Sequence, residues 1–384
     1  MDNIIEVLKE KHNFIIDKNN TLQERRVHLD IGRKYFTKQW ILKLIDYMNF
    51  LKLNTLTLHF SENKGFRIEL SNFPEIVSKK HLTKNEIKEI IQYANERNIE
   101  VMPSLDTPGH TRQILSKFPH YGQKDINGNP SKEALSITSS KTLAFIKKLY
   151  EEYCELFAGA KNFHIGGDEF MEFEKEEFIQ NYMPVLNNYA KNTLGEQYSW
   201  KDSFANYINE IAKLVYDNGF TPRVWNDGLY YGEHNEEIKQ KIKMFKEIEV
   251  DFWCQMPWNP SISKLNTILD KGHKIYNLNS SYFYYVLREE MPEDGRKMNS
   301  FDKKNQYKNI YNQWTPGKFF NNDIDDKHPQ IKGAAISIWC DNPEIVDENI
   351  IFEDVKKELF AFALKTLDYK INENITFEEL YCEI

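Results

Sequence analysis

The sequence contains only four cysteines, Cys154, Cys254, Cys340 and Cys382, and no two of them form a CxxC pair. This spacing excludes a zinc ribbon and a dithiol redox motif, and it does not predict a disulfide framework. No apolar run approaches the roughly 18 residues that a membrane-spanning helix needs, and no basic segment leads into an apolar stretch at the start. We therefore expect a soluble, cytoplasmic protein without a membrane partner.

Basic charge is also scarce, since 50 lysines and arginines face 58 aspartates and glutamates, for a net charge of −8. A chain without a basic surface is a poor partner for nucleic acid, so we expect no nucleic-acid binding. Linkers rich in proline, glycine or serine are absent as well, which argues against a division into several domains. We predict an N-terminal helix and connection over 1–25 and a single domain over 26–384.

Short apolar, β-branched runs recur along almost the whole chain and predict eight strands. They lie at Arg26–Ile31, Asn54–Phe60, Glu100–Leu105, Asn162–Ile165, Pro222–Trp225, Val250–Trp253, Lys274–Leu278 and Gly333–Trp339. Helical patterns separate most of them, among them Thr142–Phe157, Phe204–Asn218, Ile238–Phe245, Ile262–Leu269 and Val355–Leu367. Eight strands alternating with helices predict an α/β protein with a single-domain (β/α)8 TIM barrel. An open doubly wound sheet is the alternative, but no glycine-rich phosphate motif follows the first strand.

The fourth predicted strand ends in the segment His164-Ile165-Gly166-Gly167-Asp168-Glu169. Two glycines remove side chains where the backbone must pass close to something, and two adjacent carboxylates follow them. Because parallel α/β proteins place their chemistry at the carboxyl ends of strands, this pair is a candidate catalytic site. The alternative is that Asp168 only caps the next helix, with Glu169 in its first turn.

Other polar and aromatic residues fall at the same end of the predicted strands. They are Asp30, Arg33, His59, Glu62, Asn63, Asp106, His110, Trp225, Asp227, Trp253, Tyr282, Trp339 and Asp341. Tryptophans beside carboxylates describe a wet pocket with apolar walls, which suits sugar rings and their hydroxyls.

Five motifs in order resemble those of glycoside hydrolase family 20, the β-N-acetylhexosaminidases. They are Arg-Val-His-Leu-Asp-Ile-Gly-Arg (26–33), His-Phe-Ser-Glu-Asn-Lys-Gly-Phe-Arg (59–67), Asp-Thr-Pro-Gly-His (106–110), His-Ile-Gly-Gly-Asp-Glu (164–169) and Trp-Cys-Asp (339–341). The resemblance implies a (β/α)8 barrel that removes a terminal β-linked N-acetylhexosamine from a glycan or amino-sugar oligosaccharide. It implies no metal and no cofactor.

The resemblance also implies a role for each matching residue. Glu169 would be the general acid and base, and Asp168 would orient the acetamido group of the substrate, whose oxygen Tyr282 would bind. Trp225, Trp253 and Trp339 would wall the acetamido pocket beside Asp227, while Arg33 and Asp341 would hold the outer hydroxyls. Glu62 and His110 would form a relay to Glu169. Glu62-Asn63 replaces the usual Asp-Asp, and Asp341 replaces a common Glu.

Two other functions stay open on the residues alone. His59, His110, His164, Asp168 and Asp227 could form a metal-dependent hydrolase site in the same barrel. A glycan-binding barrel without catalysis is the other alternative, against which the presence of both Asp168 and Glu169 argues. The sequence does not determine the natural glycan, the preference between gluco and galacto sugars, or the oligomeric state.

Overall fold

The computed structural model describes residues 3–12, 15–16, 21–287, 306–370 and 375–383. Eight of its strands match the eight predicted runs to within about three residues at either end. They are β1 (Glu24–Asp30), β2 (Thr55–His59), β3 (Glu100–Thr107), β4 (Asn162–Gly166), β5 (Thr221–Trp225), β6 (Glu249–Phe252), β7 (Ile275–Asn277) and β8 (Ile331–Trp339). Each strand pairs with its neighbour in sequence, and the last strand, β8, also pairs with the first, β1. The sheet is therefore closed, which confirms the predicted (β/α)8 barrel.

Helices follow most of the strands, as the pattern predicts. They are α1 (Ile4–Lys11), α2 (Lys38–Phe50), α3 (Lys84–Asn95), α4 (Arg112–Lys117), α5 (Ser140–Leu156), α6 (Met183–Tyr189), α7 (Trp200–Asp217), α8 (Leu265–Asp270), α9 (Ser280–Phe283), α10 (Gln306–Gln313), α11 (Glu348–Thr366) and α12 (Phe377–Cys382). No helix in the described part of the chain is long and apolar enough to cross a membrane.

The predicted helix over Ile238–Phe245 is wrong, because this segment has no helical structure. Side chains of α7 take up its backbone groups instead. The Asp202 carboxylate accepts the N–H groups of Lys241 and Ile242 at 2.6 and 2.8 Å, and Asn209 accepts that of Phe245 at 2.7 Å. A chain whose donors are already bound at these distances gains nothing from forming helical hydrogen bonds.

Short elements decorate the barrel. Antiparallel pairs join Ile15–Ile16 to Tyr369–Lys370, Ser61–Glu62 to Gly65–Phe66, Gly122–Lys124 to Pro130–Leu135, and Lys318–Phe319 to Asn322–Asp323. Tyr284–Val286 adds a further strand beside β8, and the 3-10 turns are Pro74–Ile76 and Pro119–Tyr121. Phe178–Tyr182 and Ala190–Leu194 are π-helical. Part of the connection between β7 and β8, residues 288–305, lies outside the described residues.

Tertiary contacts group the chain into two compact units. The first contains residues 1–58, 85–101 and 276–384. Its β1 and β8 run parallel, with Gly333 opposite Glu24 and Ile338 opposite Leu29. Buried Leu44, Phe352 and Leu359 of α2 and α11 supply apolar side chains to its core.

The second unit contains residues 59–84 and 102–275 and holds the predicted acid pair. An aromatic cluster anchors the segment after β4 there. The Phe173 ring lies 4.7 Å from Trp200, 5.0 Å from Phe178 and 5.1 Å from Tyr231, measured between ring centroids. Burial of such large rings fixes a segment that has little regular structure of its own.

Candidate active site

The ends of three strands in the second unit bring the predicted acid pair and its relay together. Asp168 and Glu169 follow β4, Glu62 lies just after β2, and His110 follows β3. The His110 Nδ1 atom lies 3.3 Å from Oε1 of Glu62, and Nε2 lies 3.4 Å from a carboxylate oxygen of both Asp168 and Glu169. One imidazole therefore contacts three carboxylates.

The two glycines before the acid pair are required by a close approach between strands. Gly166 has φ +75°, and a Cβ at this position would lie 2.0 Å from Oδ1 of Asp106 on β3. Gly167 has φ +90°, and its Cβ would lie 2.9 Å from Val224. The left-handed backbone and the lack of space both exclude a larger residue, so the sequence-based interpretation of these glycines is confirmed.

Asp168 is not a helix cap. The segment over 167–175 contains no helix, so the capping alternative is wrong. Glu169 instead has φ +40°, an uncommon conformation for a residue with a side chain, and its N–H donates to Oδ2 of Asp227 at 2.9 Å. This turn leaves the Glu169 side chain 54% exposed while that of Asp168 is 14% exposed. Strain of this kind is a common feature of active sites.

His110 and the acids around it shift one another's pKa values, and the shifts differ in direction from one group to the next. Burial alone would lower the pKa of His110, but the carboxylates of Glu62 and Asp168 raise that pKa well above its usual value. Burial likewise opposes ionisation of Asp168, but His110 outweighs it and lowers the pKa of this carboxyl. Asp106 is buried beside Asp168, and both facts raise the pKa of Asp106. These pKa shifts favour an ionised Asp168 beside a protonated His110 and a protonated Asp106.

Asp227 and Trp253 form a second pair near the acid pair. The Trp253 indole N–H donates to Oδ1 of Asp227 at 2.9 Å. Burial and the charge of Asp168 raise the pKa of Asp227 to about 7, although two N–H groups bind its carboxylate. Trp225 is buried, and its ring centroid lies 4.4 Å from that of His164. Both predicted tryptophans of this unit thus lie at the ends of neighbouring strands, and Trp253 contacts one of the acids.

The first unit holds the other predicted sugar-binding residues. Arg33 is held by Asp30, whose Oδ2 accepts from the guanidinium at 2.9 Å and from the Cys340 N–H at 3.0 Å. The guanidinium carbon lies 5.5 Å from the centre of the Trp339 ring. Asp341, two residues further along the chain, is half-buried. Arg33 is therefore fixed by a buried carboxylate rather than by a loose surface ion pair.

The structure distinguishes the tyrosines near the seventh strand. Tyr282 lies on the short helix α9, and its hydroxyl is 3.5 Å from Oε1 of Gln313. Tyr284 lies on the strand beside β8, with its ring centroid 5.7 Å from that of Trp339. Tyr284, and not Tyr282, contacts the predicted tryptophan wall.

The histidines of the metal alternative do not form one group in the described part of the chain. His164 accepts the Gly166 N–H at Nδ1, and its Nε2 lies 3.3 Å from Asp251. The donor sets within 4.8 Å of one another are His59, Glu62 and Asp106, and Asp106, His110 and Asp168. Neither set contains His164 or Asp227, and each includes one residue of the predicted relay, Glu62 in the first and His110 in the second.

Two residues of the site carry no role in the sequence-based analysis. Asp106 opens the Asp-Thr-Pro-Gly-His motif and lies beside Asp168. The Asn226 side chain accepts the backbone N–H of Trp253 at 2.8 Å and donates to the backbone carbonyl of Cys254 at 2.8 Å. These two hydrogen bonds join the ends of β5 and β6. Its position between Trp225 and Asp227 was the only signal available in the sequence.

Comparison with known proteins finds relatives that match most of this chain. The chain is 26% identical over 340 residues to the lacto-N-biosidase of Bifidobacterium bifidum. The aligned region covers 88% of this chain and 27% of that protein. It is 26% identical over 379 residues to a beta-hexosaminidase subunit beta of Entamoeba histolytica, covering 91% of this chain and 60% of that one. The chain thus spans less than two thirds of the length of each of these relatives.

Solved structures show the same fold. The pneumococcal StrH structure superposes with a TM-score of 0.74 at 22% identity, covering 92% of this chain and 86% of that one. Dispersin B superposes with a TM-score of 0.69 at 23% identity, covering 89% and 99%. The family model described as "Glycosyl hydrolase family 20, catalytic domain" matches residues 23–357 of this chain. The chain therefore belongs to glycosyl hydrolase family 20.

Proposed function

We propose that this protein is an exo-acting, retaining β-N-acetylhexosaminidase. It would hydrolyse terminal, non-reducing β-linked N-acetylglucosamine or N-acetylgalactosamine. The observation that carries the proposal is the arrangement of adjacent Asp168 and Glu169, with side chains 14% and 54% exposed, on a single imidazole. Adjacent carboxylates cannot stand on opposite sides of a glycosidic bond as an acid and a nucleophile. Family 20 is a known exception to that two-carboxylate scheme, because its substrate assists the reaction.

In this mechanism the nucleophile is the 2-acetamido oxygen of the substrate. It attacks the anomeric carbon as the bond to the leaving oxygen breaks, and the product is a cyclic oxazolinium ion. Asp168 would accept the acetamido N–H and stabilise the positive charge that develops on this group. A carboxylate that His110 keeps ionised is suited to that task.

Glu169 would supply the proton. It protonates the leaving oxygen as that bond breaks, and it then removes a proton from the water that opens the oxazolinium ion. The two inversions at the anomeric carbon give net retention. The half-exposed position of Glu169 is compatible with access to both the leaving group and water.

Asp227, Trp225 and Trp253 would line the acetamido pocket in this proposal. Trp339 would add a further wall, and Tyr282 stays the predicted partner of the acetamido oxygen. Arg33 and Asp341 stay the predicted ligands of the outer hydroxyls. The cytoplasmic location stays a prediction, which fractionation of the source cells would test.

Two substitutions test the assignment of the acid pair. We expect Glu169→Gln to slow substrates with poor leaving groups far more than aryl glycosides, because an activated leaving group needs no proton. We expect Asp168→Asn to slow both classes, by about 100-fold or more, because the charge that Asp168 stabilises forms whichever group leaves. Steady-state kcat and KM on N,N′-diacetylchitobiose and on an aryl N-acetyl-β-glucosaminide measure both effects.

The control is the matching aryl β-glucoside, in which a hydroxyl replaces the acetamido group. The proposal requires that this compound is not turned over and that a thiazoline analogue of the oxazoline inhibits strongly. A covalent glycosyl-enzyme trapped on Asp168 or Glu169 would contradict the mechanism.

The same assays separate the two alternative functions. A metal-dependent hydrolase would lose activity after exhaustive chelation and regain it with added metal. A glycan-binding barrel without catalysis would bind N-acetylglucosamine but release no aryl leaving group at any enzyme concentration.

A further inference from the structure

A buried histidine precedes the acid pair and has no part in the mechanism described above. His164 lies on β4, two residues before Gly166, and its side chain is fully buried. Its Nδ1 atom accepts the Gly166 N–H at 3.1 Å. Because an amide N–H can only donate, Nδ1 carries no proton, and the neutral ring has its proton on Nε2.

The opposite ring nitrogen of His164 faces a buried carboxylate. Nε2 lies 3.3 Å from Oδ2 of Asp251 on β6, and both side chains are 0% exposed. A protonated Nε2 donates to a carboxylate, so this contact selects the same tautomer as the Gly166 N–H does. Two contacts on opposite sides of the ring therefore agree on where the proton lies.

A chain of alternating charges in the second unit holds Asp251. The Arg223 guanidinium on β5 lies 3.8 Å from Oδ1 of Asp251 and 3.0 Å from Oε2 of Glu249. The same guanidinium donates to Oδ1 of Asn162 at 3.0 Å, and Lys274 pairs with Glu249 at 2.9 Å. As ions, the two acids and the two bases sum to zero charge. The carboxylate of Asp251 is thus balanced without a proton on the second nitrogen of the imidazole.

The bond from His164 to Gly166 acts on the turn that carries the acid pair. Gly166 and Gly167 have φ +75° and +90°, which glycine adopts without steric cost but does not favour over its other conformations. Two consecutive glycines therefore need contacts that select one turn. Nδ1 of His164 binds the first N–H, and the Thr107 carbonyl accepts the second at 3.0 Å. The direction in which the chain enters Asp168 depends on both bonds.

We propose that His164 is a positioning residue for the acid pair, in which the Nδ1 lone pair holds the Gly166 N–H and Asp251 keeps that lone pair free of a proton. His164 acts through the backbone and not on the substrate. The inference rests on the proposed function, because its effect is read from turnover. The competing interpretation is that His164 serves only as a hydrogen-bond donor to the buried carboxylate of Asp251, which is a matter of stability alone.

Two amide substitutions separate these roles, because each retains one of the two ring contacts. An asparagine carries its oxygen where histidine carries Nδ1, so His164→Asn keeps an acceptor for Gly166 and loses the donor to Asp251. A glutamine reaches as far as Nε2, so His164→Gln keeps the donor and loses the acceptor. We expect kcat per folded molecule to fall about tenfold in His164→Gln, with KM within about twofold. In His164→Asn, kcat should stay within about threefold.

The substrate is an aryl N-acetyl-β-glucosaminide, and the folded fraction is measured by circular dichroism. His273 is the matched control, because it is a second buried histidine of the same unit with contacts at both ring nitrogens. Its Nδ1 lies 2.8 Å from the Ile248 carbonyl, and its Nε2 lies 2.6 Å from the Tyr230 hydroxyl. His273→Asn and His273→Gln should lower stability in urea and leave kcat per folded molecule unchanged.

Nitrogen NMR of histidine-labelled protein gives a readout that does not need turnover. We expect an unprotonated Nδ1 and a protonated Nε2 at His164, and faster deuterium exchange of the Gly166 amide in His164→Gln than in His164→Asn. A protonated Nδ1, or a kcat loss in His164→Asn as large as that in His164→Gln, would overturn the proposal. If the unmodified protein hydrolysed no N-acetylhexosaminide, the proposed function would fail, while the NMR and exchange measurements would still decide whether His164 holds the turn.

Discussion

At the scale of single residues, His110 connects the groups that carry charge in this site. Its ring touches Glu62 on one side and both Asp168 and Glu169 on the other. His110 itself has φ +53°, so the backbone is held in an uncommon conformation where the ring is placed. Glu62 is 2% exposed, which makes its charge effective at short range. A charge change at Glu62 should therefore reach the reaction through the imidazole.

The Glu62→Gln variant tests this connection. Glu62 raises the pKa of His110, so its neutralisation should let the imidazolium lose its proton at a lower pH. Because the raised pKa keeps His110 charged up to its folded-state value, the basic limb of kcat/KM should move down by about one pH unit. The measurement is the pH profile of kcat/KM on an aryl N-acetyl-β-glucosaminide.

Glu210→Gln on α7 is the control for loss of a carboxylate in the same unit, and it should leave the profile unchanged. Because Glu62 and His110 would act as a unit, the double variant Glu62→Gln with His110→Ala should have nearly the same activity as the less active of the two single variants. Additive losses with unchanged pH profiles would mean that no relay operates.

At the scale of elements, the turn after β4 depends on the strand next to it. Gly166 approaches Asp106 so closely that no side chain fits, and the segment over 167–175 then continues without a helix. Three phenylalanines within that segment and its π-helix pack against rings of α7 and the loop after β5. The acid pair therefore sits between a close strand contact and an aromatic anchor.

The Gly166→Ala variant tests the close contact. Its Cβ would lie 2.0 Å from Oδ1 and 2.9 Å from Cα of Asp106, in addition to the cost of a left-handed backbone. We expect a loss of at least about 3 kcal/mol in the free energy of unfolding, from strain and overpacking together. Urea denaturation followed by circular dichroism measures it.

Gly128→Ala is the matched control. Gly128 has φ +83°, but no atom lies within 4 Å of its Cβ position, so this variant carries the backbone cost alone, about 1 kcal/mol. Equal losses in the two variants would show that contact with Asp106 has no energetic consequence.

The elements also show which parts of the structure the sequence could predict. Apolar runs such as those of β3 and β4 are buried by the same barrel that their spacing indicates, so their positions follow from local pattern. The segment over Ile238–Phe245 has a helical spacing of apolar residues, yet Asp202 and Asn209 bind its N–H groups from another element. Tertiary hydrogen bonds of this kind leave no trace in a local pattern.

The candidate site also contains parts that the sequence could predict and parts that it could not. Asp168 and Glu169 stand out because glycines precede them at a strand end. The strand pair over 122–135 and the chain over 170–182 meet through contacts such as Ile126 to Asn181, so their packing beside the acid pair was not predictable. Tyr282 lies on the short helix α9 and Tyr284 on the strand that follows it, a difference between near neighbours that the sequence does not reveal.

At the scale of the whole molecule, the motifs that define the family are spread over both units. Arg33 and Asp341 belong to the first unit, and Asp168 and Glu169 belong to the second. The match to the family model extends over residues 23–357, a range that includes all four of these residues. The activity that we propose therefore draws on residues of both units, and it predicts a product as well as a mechanism.

The last prediction concerns that product. If Arg33 and Asp341 hold the hydroxyls farthest from the scissile bond, no sugar can extend beyond the terminal one, and cleavage must be exolytic. We expect single N-acetylhexosamines from the non-reducing end of a chitin oligomer, with the remainder shortened by one sugar at a time. Time-resolved product analysis of a reducing-end-labelled pentamer measures this. Arg33→Ala should raise KM for every substrate, including the aryl glycoside, because it removes contacts to the terminal sugar that all of them share. Internal cleavage, or a disaccharide as the main early product, would contradict this assignment of Arg33 and Asp341.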